Sequence, residues 1–183
     1  MPRVLVPLAP GCEELEAVTI IDLLRRAGIE VVSAGLDDQP VKASRGVVLL
    51  PDTTLERALA QEFDMLVLPG GQPGTNHLKA DPRIVALLQK MARAGKYTCA
   101  ICAAPAVLAA AGLLDGKQAT CYPGSLDNAR NVTLNAAPVV KDGNIITSRG
   151  PGTAMDFALE LIETLVGKRK RDEVEAGLQR PAK

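Results

Sequence analysis

The sequence predicts an α/β protein built on a doubly wound, mostly parallel sheet with helices on both faces. Three observations point there. Short apolar runs alternate with helical stretches of ten or more residues, the pattern of βαβ units with right-handed crossovers. Most of these runs end in a glycine or proline turn that leads into the next helix. The apolar residues, 47% of the chain, are mostly Ala, Val, Leu and Ile, with only two Phe, two Tyr and no Trp, which suits helices packed on buried parallel strands.

In order, residues 4–8 form an apolar strand, the turn Pro10-Gly11 follows, and 13–26 read as a helix with Leu15, Val18, Ile21 and Leu24 at helical spacing, ended by Gly28. Residues 29–34 are the next strand. The segment 41–50, broken by Ser44-Arg45-Gly46, reads as a small hairpin outside the core, and 55–60 as a short helix. Residues 63–68 form a strand opening into Pro69-Gly70-Gly71-Gln72-Pro73-Gly74, and Asp81-Pro82 caps a helix to about residue 94. Residues 97–101 are a strand with Cys102 at its carboxyl end, and Ala104-Pro105 starts another helix. Residues 118–121, 132–134, 139–140 and 145–147 are strand candidates, and 153–166 is an amphipathic helix. Lys168 to Arg171 are a basic run opening the C-terminal tail, read as a solvated helix face or a fraying terminus. No repeat, linker or low-complexity segment divides the chain, so residues 1–183 are read as one domain.

Lys plus Arg equals Asp plus Glu at 21 each, which removes the electrostatic argument for a nucleic-acid or membrane-surface partner. No apolar run approaches the roughly 18 residues of a membrane span, and the N-terminus lacks a signal-peptide pattern, so a cytoplasmic protein is expected. Cys12, Cys99, Cys102 and Cys121 are too few and too unevenly spaced for a disulfide scaffold, and are expected as thiols.

Function in a doubly wound sheet gathers beyond the carboxyl ends of the strands. Cys102 belongs there, and its place before a helix start is expected to favour thiolate. Ala100, Ala103 and Ala104 leave room for the crowded turn of a nucleophile elbow. The Ala103 amide would face charge developing on a substrate oxygen, and the Gly70-Gly71 turn could supply a second donor. The plainer reading is a small buried hydrophobe. The lone histidine, His77, is a weaker proton-transfer partner than a carboxylate from Glu13, Glu14 or Glu16, which start a helix at the same rim. A buried Glu beside a thiolate would stay protonated and donate to it. Cys99 and Cys102 form a C-x-x-C, but three extended steps hold their Cα atoms about 10 Å apart, beyond disulfide reach. No metal-ligand spacing is present, and 150–153 lacks the lysine of a phosphate-binding loop.

Four motifs together resemble the ThiJ/PfpI superfamily: residues 8–16 (LAPGCEELE), 67–71 (VLPGG), 100–105 (AICAAP) and 147–153 (TSRGPGT). They are most similar to its branch of bacterial YajL and the Parkinson-disease-associated deglycase. The resemblance covers nearly the whole chain and implies a flavodoxin-like fold, a homodimer and an oxidation-sensitive nucleophile at Cys102. It matches Glu16 to a protonated glutamate bonded to the sulfur, Gly71 and Ala103 to backbone donors, and Arg45 to a residue near the dimer interface and site. Gly70 and Tyr122 are its further site neighbours. The implied activities need no cofactor or metal: removal of early methylglyoxal or glyoxal adducts from amines and thiols, and conversion of these aldehydes to hydroxy acids. A redox-sensing stress chaperone, with Cys102 oxidised to sulfinic acid, is the alternative. Where part of the branch has a histidine before a proline, this chain has Tyr122-Pro123. Where the protease-like branch has a histidine after the cysteine, it has Ala103, so peptidase activity is disfavoured.

Overall fold

The computed structural model describes residues 1–181. Strand β1 (Arg3–Leu8) leads into helix α1 (Glu14–Arg26) and strand β2 (Glu30–Gly35). A hairpin of β3 (Val41–Lys42) and β4 (Val48–Leu49) follows, then the short strand β5 (Thr53–Thr54) and helix α2 (Leu55–Ala58). Strand β6 (Met65–Leu68) precedes helices α3 (Gly74–Ala80) and α4 (Pro82–Arg93), and β7 (Tyr97–Ile101) precedes α5 (Pro105–Ala110). The chain continues through β8 (Gln118–Ala119), β9 (Thr133–Leu134), β10 (Val139–Asp142) and β11 (Ile145–Ser148) to α6 (Ala154–Val166) and α7 (Lys168–Gly177).

Seven strands form one sheet in the order β10-β11-β7-β6-β1-β2-β5. All pairings are parallel except β10 with β11. The chain leaves β1 outward to β2 and returns to β6 on its other side, so a switch point with its crevice lies between β1 and β6. Alternation along the strands separates two cores. Val4, Val6, Val67 and Ile101 face α1 and α6, whereas Leu5, Leu66, Leu68 and Ala100 face the layer holding Leu78, Ile84, Leu88 and Leu108.

Four sequence expectations change. The buried stripe of α1 is Glu16, Ala17, Ile20, Leu23 and Leu24, while Leu15 and Val18 are about half exposed; the apolar spacing picked out the outer face. Residues 118–121 and 132–134 contribute β8 and β9, which pair with each other outside the main sheet. Helix α3 replaces an expected loop, since Thr75, Asn76 and His77 are weak helix formers between Pro73 and Asp81. The basic run expected as a solvated helix face or fraying terminus starts helix α7, which also packs Val174 into the core and pairs Arg171 with Glu175 at 2.9 Å.

Candidate active site

Cys102 follows β7 directly, at φ 65, left-handed backbone that a non-glycine residue adopts only when its surroundings enforce it. Its N–H donates to the Ser148 carbonyl (3.0 Å), its C=O accepts from Tyr122 N–H (2.8 Å), and Ala104 N–H closes the turn on Ile101 (3.0 Å). Pro105 opens α5, where its missing N–H costs nothing. This is an elbow geometry, and the side chain is 8% exposed.

Glu16 reaches the elbow from α1 and is fully buried. Its Oε2 accepts from Gly70 N–H at 2.8 Å, while its Oε1 has no hydrogen-bond partner among the described residues. Glu13 N–H donates to the Gly70 carbonyl (2.9 Å), so the start of α1 and the turn after β6 are joined in both directions. Gly70 has no room for a side chain, because a Cβ there would lie 2.6 Å from the Cys102 Cβ and 2.8 Å from Glu16 Oε2. Gly71, at φ 88, completes the turn.

Burial pushes Glu16 up from its ordinary 4.5 to about 7, partly offset by hydrogen bonds from Gly70 and Cys102. Burial, together with the charge on Glu16 and its hydrogen bond, pushes the Cys102 thiol up to about 12, while the Gly71 and Ala103 amides pull it back. Desolvation therefore outweighs the helix-start effect expected to favour thiolate. The two groups titrate as one unit. A protonated Glu16 does not repel a thiolate, whereas the carboxylate does, so the state of each group bears on the other.

The other candidates are placed differently. Glu14 is turned to the β3–β4 hairpin, accepting from the Ser44 hydroxyl (3.0 Å), Arg45 N–H (2.9 Å) and Val47 N–H (3.4 Å). Burial opposes its charge, yet these donors together hold its carboxyl below the usual range. This anchoring role lies outside the sequence reading, because it joins residues about thirty positions apart. Arg45 is exposed on the hairpin turn. Tyr122 is tied to the Cys102 backbone and is 52% exposed. His77 places Nδ1 2.8 Å from the Pro10 carbonyl. Cys12 and Cys99 are fully buried, and Cys12 is pushed up to about 12 by burial. All four cysteines are free thiols. Among the described residues no group of three or more His, Cys, Asp or Glu is placed to hold a metal, and no helix is long and apolar enough to cross a membrane.

The chain is thus an α/β protein whose doubly wound sheet sets a cysteine on a left-handed turn at its carboxyl edge, near a buried glutamate from the neighbouring crossover helix. The particular family follows from comparison: a model of the DJ-1/PfpI family matches residues 2–164, and the chain belongs to that family. It is 48% identical over 177 residues to protein dj-1beta of Drosophila melanogaster, covering 95% of each chain. It is 37% identical over 174 residues to the glutathione-independent glyoxalase DJR-1.2 of Caenorhabditis elegans, covering 93% of this chain and 92% of that one. The solved structure of Drosophila melanogaster DJ-1beta superposes with a TM-score of 0.94 at 46% identity, over 99% of both chains.

Proposed function

We propose that this chain is a cofactor-independent cysteine enzyme of stress protection, acting on methylglyoxal, glyoxal or their early adducts, as one domain in the cytoplasm. The observation that carries the reading is Cys102 on its left-handed turn with the buried Glu16 carboxyl tied to the neighbouring Gly70, with a relative named as a glutathione-independent glyoxalase in support.

The Cys102 sulfur attacks the aldehyde carbon, forming the C–S bond of a hemithioacetal as the carbonyl electron pair moves to oxygen. The Gly71 and Ala103 amides steady that oxygen, and Glu16 delivers its proton. Glu16, now a carboxylate, takes the proton from the former aldehyde carbon and returns it to the neighbouring carbon, while the hydroxyl proton passes from the first oxygen to the second. The first carbon is thereby oxidised to a thioester and the second reduced to an alcohol. Water cleaves the thioester to the hydroxy acid and frees the thiol. The oxidation is internal to the substrate, so the sequence of steps balances without a redox cofactor. An amine or thiol adduct, whose aldehyde carbon is already tetrahedral, first collapses: the C–N or C–S bond breaks, its hydroxyl proton passes to the departing nitrogen or sulfur, the C=O re-forms, and the freed aldehyde is attacked as above. Cys102→Ala is expected to abolish methylglyoxal turnover by the purified protein; full activity in that variant would overturn the reading.

A second reading has a specific observation in its favour. Glu16 Oε1 is buried without a partner, and a protonated carboxyl there suits an oxygen added to the Cys102 sulfur, as in a redox sensor. Intact mass under mild peroxide tests it, with no selective oxygen gain at Cys102 as the contrary result. The homodimer reading is supported by exposed Leu15 and Val18 on α1, Val47, Val48 and Leu50 of the adjoining hairpin segment, and Met155 on α6, an apolar surface fit for a second copy. Sedimentation of the wild type against Val18→Glu tests that association.

A further inference from the structure

The chain has four aromatic side chains. Phe157 and Phe63 are buried, and Tyr97 is partly buried against the core. Tyr122 alone is exposed, and it stands at the nucleophile. Its N–H is bonded to the Cys102 carbonyl, and Cys102 N–H is bonded to Ser148, two residues before Gly150. The ring rests on Gly150, with Cδ2 3.5 Å from the position a Cβ would take there. The backbone of β11 and the elbow thus fix the ring beside the turn.

Gly70 and Gly71 on one side, Ala103 and Ala104 on the elbow and Gly150 beyond add nothing larger than a methyl group beside Cys102, and Glu16 is sealed beneath. The half-exposed Tyr122 ring is the aromatic surface closest in the fold to that turn, held against Gly150 and bonded through its backbone to Cys102. An aromatic face stacks with flat conjugated groups and contributes least to compounds that have none.

We infer that Tyr122 is the specificity-determining residue of the Cys102 site, its ring receiving the flat substituent of an aryl or otherwise conjugated α-dicarbonyl while the aldehyde carbon lies at the sulfur. This rests on the dicarbonyl reading above and goes beyond it by naming the preferred substrate class. Tyr122 acts by binding, so its effect falls on KM more than on kcat.

The test compares initial kcat/KM for phenylglyoxal and for glyoxal in the wild type, Tyr122→Phe and Tyr122→Ala, with circular dichroism of each. The wild type is expected to favour phenylglyoxal, Tyr122→Phe to keep that ratio within about twofold, and Tyr122→Ala to lower it about five- to tenfold, chiefly through KM. If Tyr122→Ala is misfolded, Tyr122→Gln, of similar reach but without a ring, is read in its place. A ratio unchanged by loss of the ring, in a folded protein that turns over both compounds, overturns the inference and leaves the dicarbonyl reading standing. Absence of Cys102-dependent turnover of either compound overturns both.

Discussion

Glu16 and Gly70 are joined by a 2.8 Å hydrogen bond that carries a buried carboxyl from helix α1 across the sheet switch point to the turn beside Cys102. The bond works only because position 70 has no side chain. In Gly70→Ala the new methyl would meet the Cys102 Cβ and the Glu16 carboxylate at under 3 Å. The variant is expected to lose about 1–3 kcal/mol of stability through overpacking and to displace Glu16 from the sulfur. Urea unfolding and Cys102 alkylation report the two effects separately; a variant with wild-type values in both would contradict the geometry.

The burial of Glu16 also sets a pH dependence of stability. Its folded value of about 7 lies above the ordinary 4.5, so the folded protein holds the proton more tightly than the unfolded chain. The contribution is full below pH 4.5 and is lost as pH rises through 7, on the order of 3 kcal/mol in total. Glu16→Gln, which cannot ionise, is expected to flatten this part of the stability–pH curve in urea melts. An unchanged slope would place the titrating group elsewhere.

Alkylation of Cys102 is expected to stay slow through neutral pH and to accelerate through an inflection only above the ordinary thiol value of 9.0, because burial and the charge on Glu16 push the thiol up. Glu16→Gln should move that inflection. Peptide mass mapping of an iodoacetamide time course reads it, and a wild-type inflection below 9, or one that is the same in both proteins, would contradict the coupling to Glu16.

Glu14 anchors the β3–β4 hairpin through Ser44, Arg45 and Val47. Glu14→Ala leaves those donors without their acceptor and is expected to cost about 1–3 kcal/mol. Limited proteolysis should then cut within 43–47. An equally resistant hairpin would show that the adjoining Glu13, which also accepts from Ser44 at 3.0 Å, suffices.

Much of this was legible in the residues, and the exceptions have physical causes. The elbow at Cys102 announces itself locally: an aliphatic strand, small neighbours and Pro105 at a helix start. Choosing among Glu13, Glu14 and Glu16 needed the family resemblance, because all three begin the same helix. A signal was nevertheless present. Glu16 shares the i, i+4, i+7, i+8 row of Ile20, Leu23 and Leu24, the stripe the structure buries. The competing row of Leu15 and Val18 hid it, since a helix apolar on two sides does not say which side faces the sheet. The switch of Gln118 and Thr133 to a separate pair of strands had no local signature, because it is fixed by partners distant in the sequence.

The left-handed backbone at Cys102 has a consequence for the whole chain. Such a conformation costs a side-chain-bearing residue about 1–2 kcal/mol, and glycine almost nothing. The folded state carries that cost whether or not a substrate is present. Cys102→Gly would therefore relax the elbow where Cys102→Ala would not, and a chain shaped for durability alone would have a glycine at 102. The residue that makes this corner useful also makes it the place where the molecule is less durable than its architecture allows.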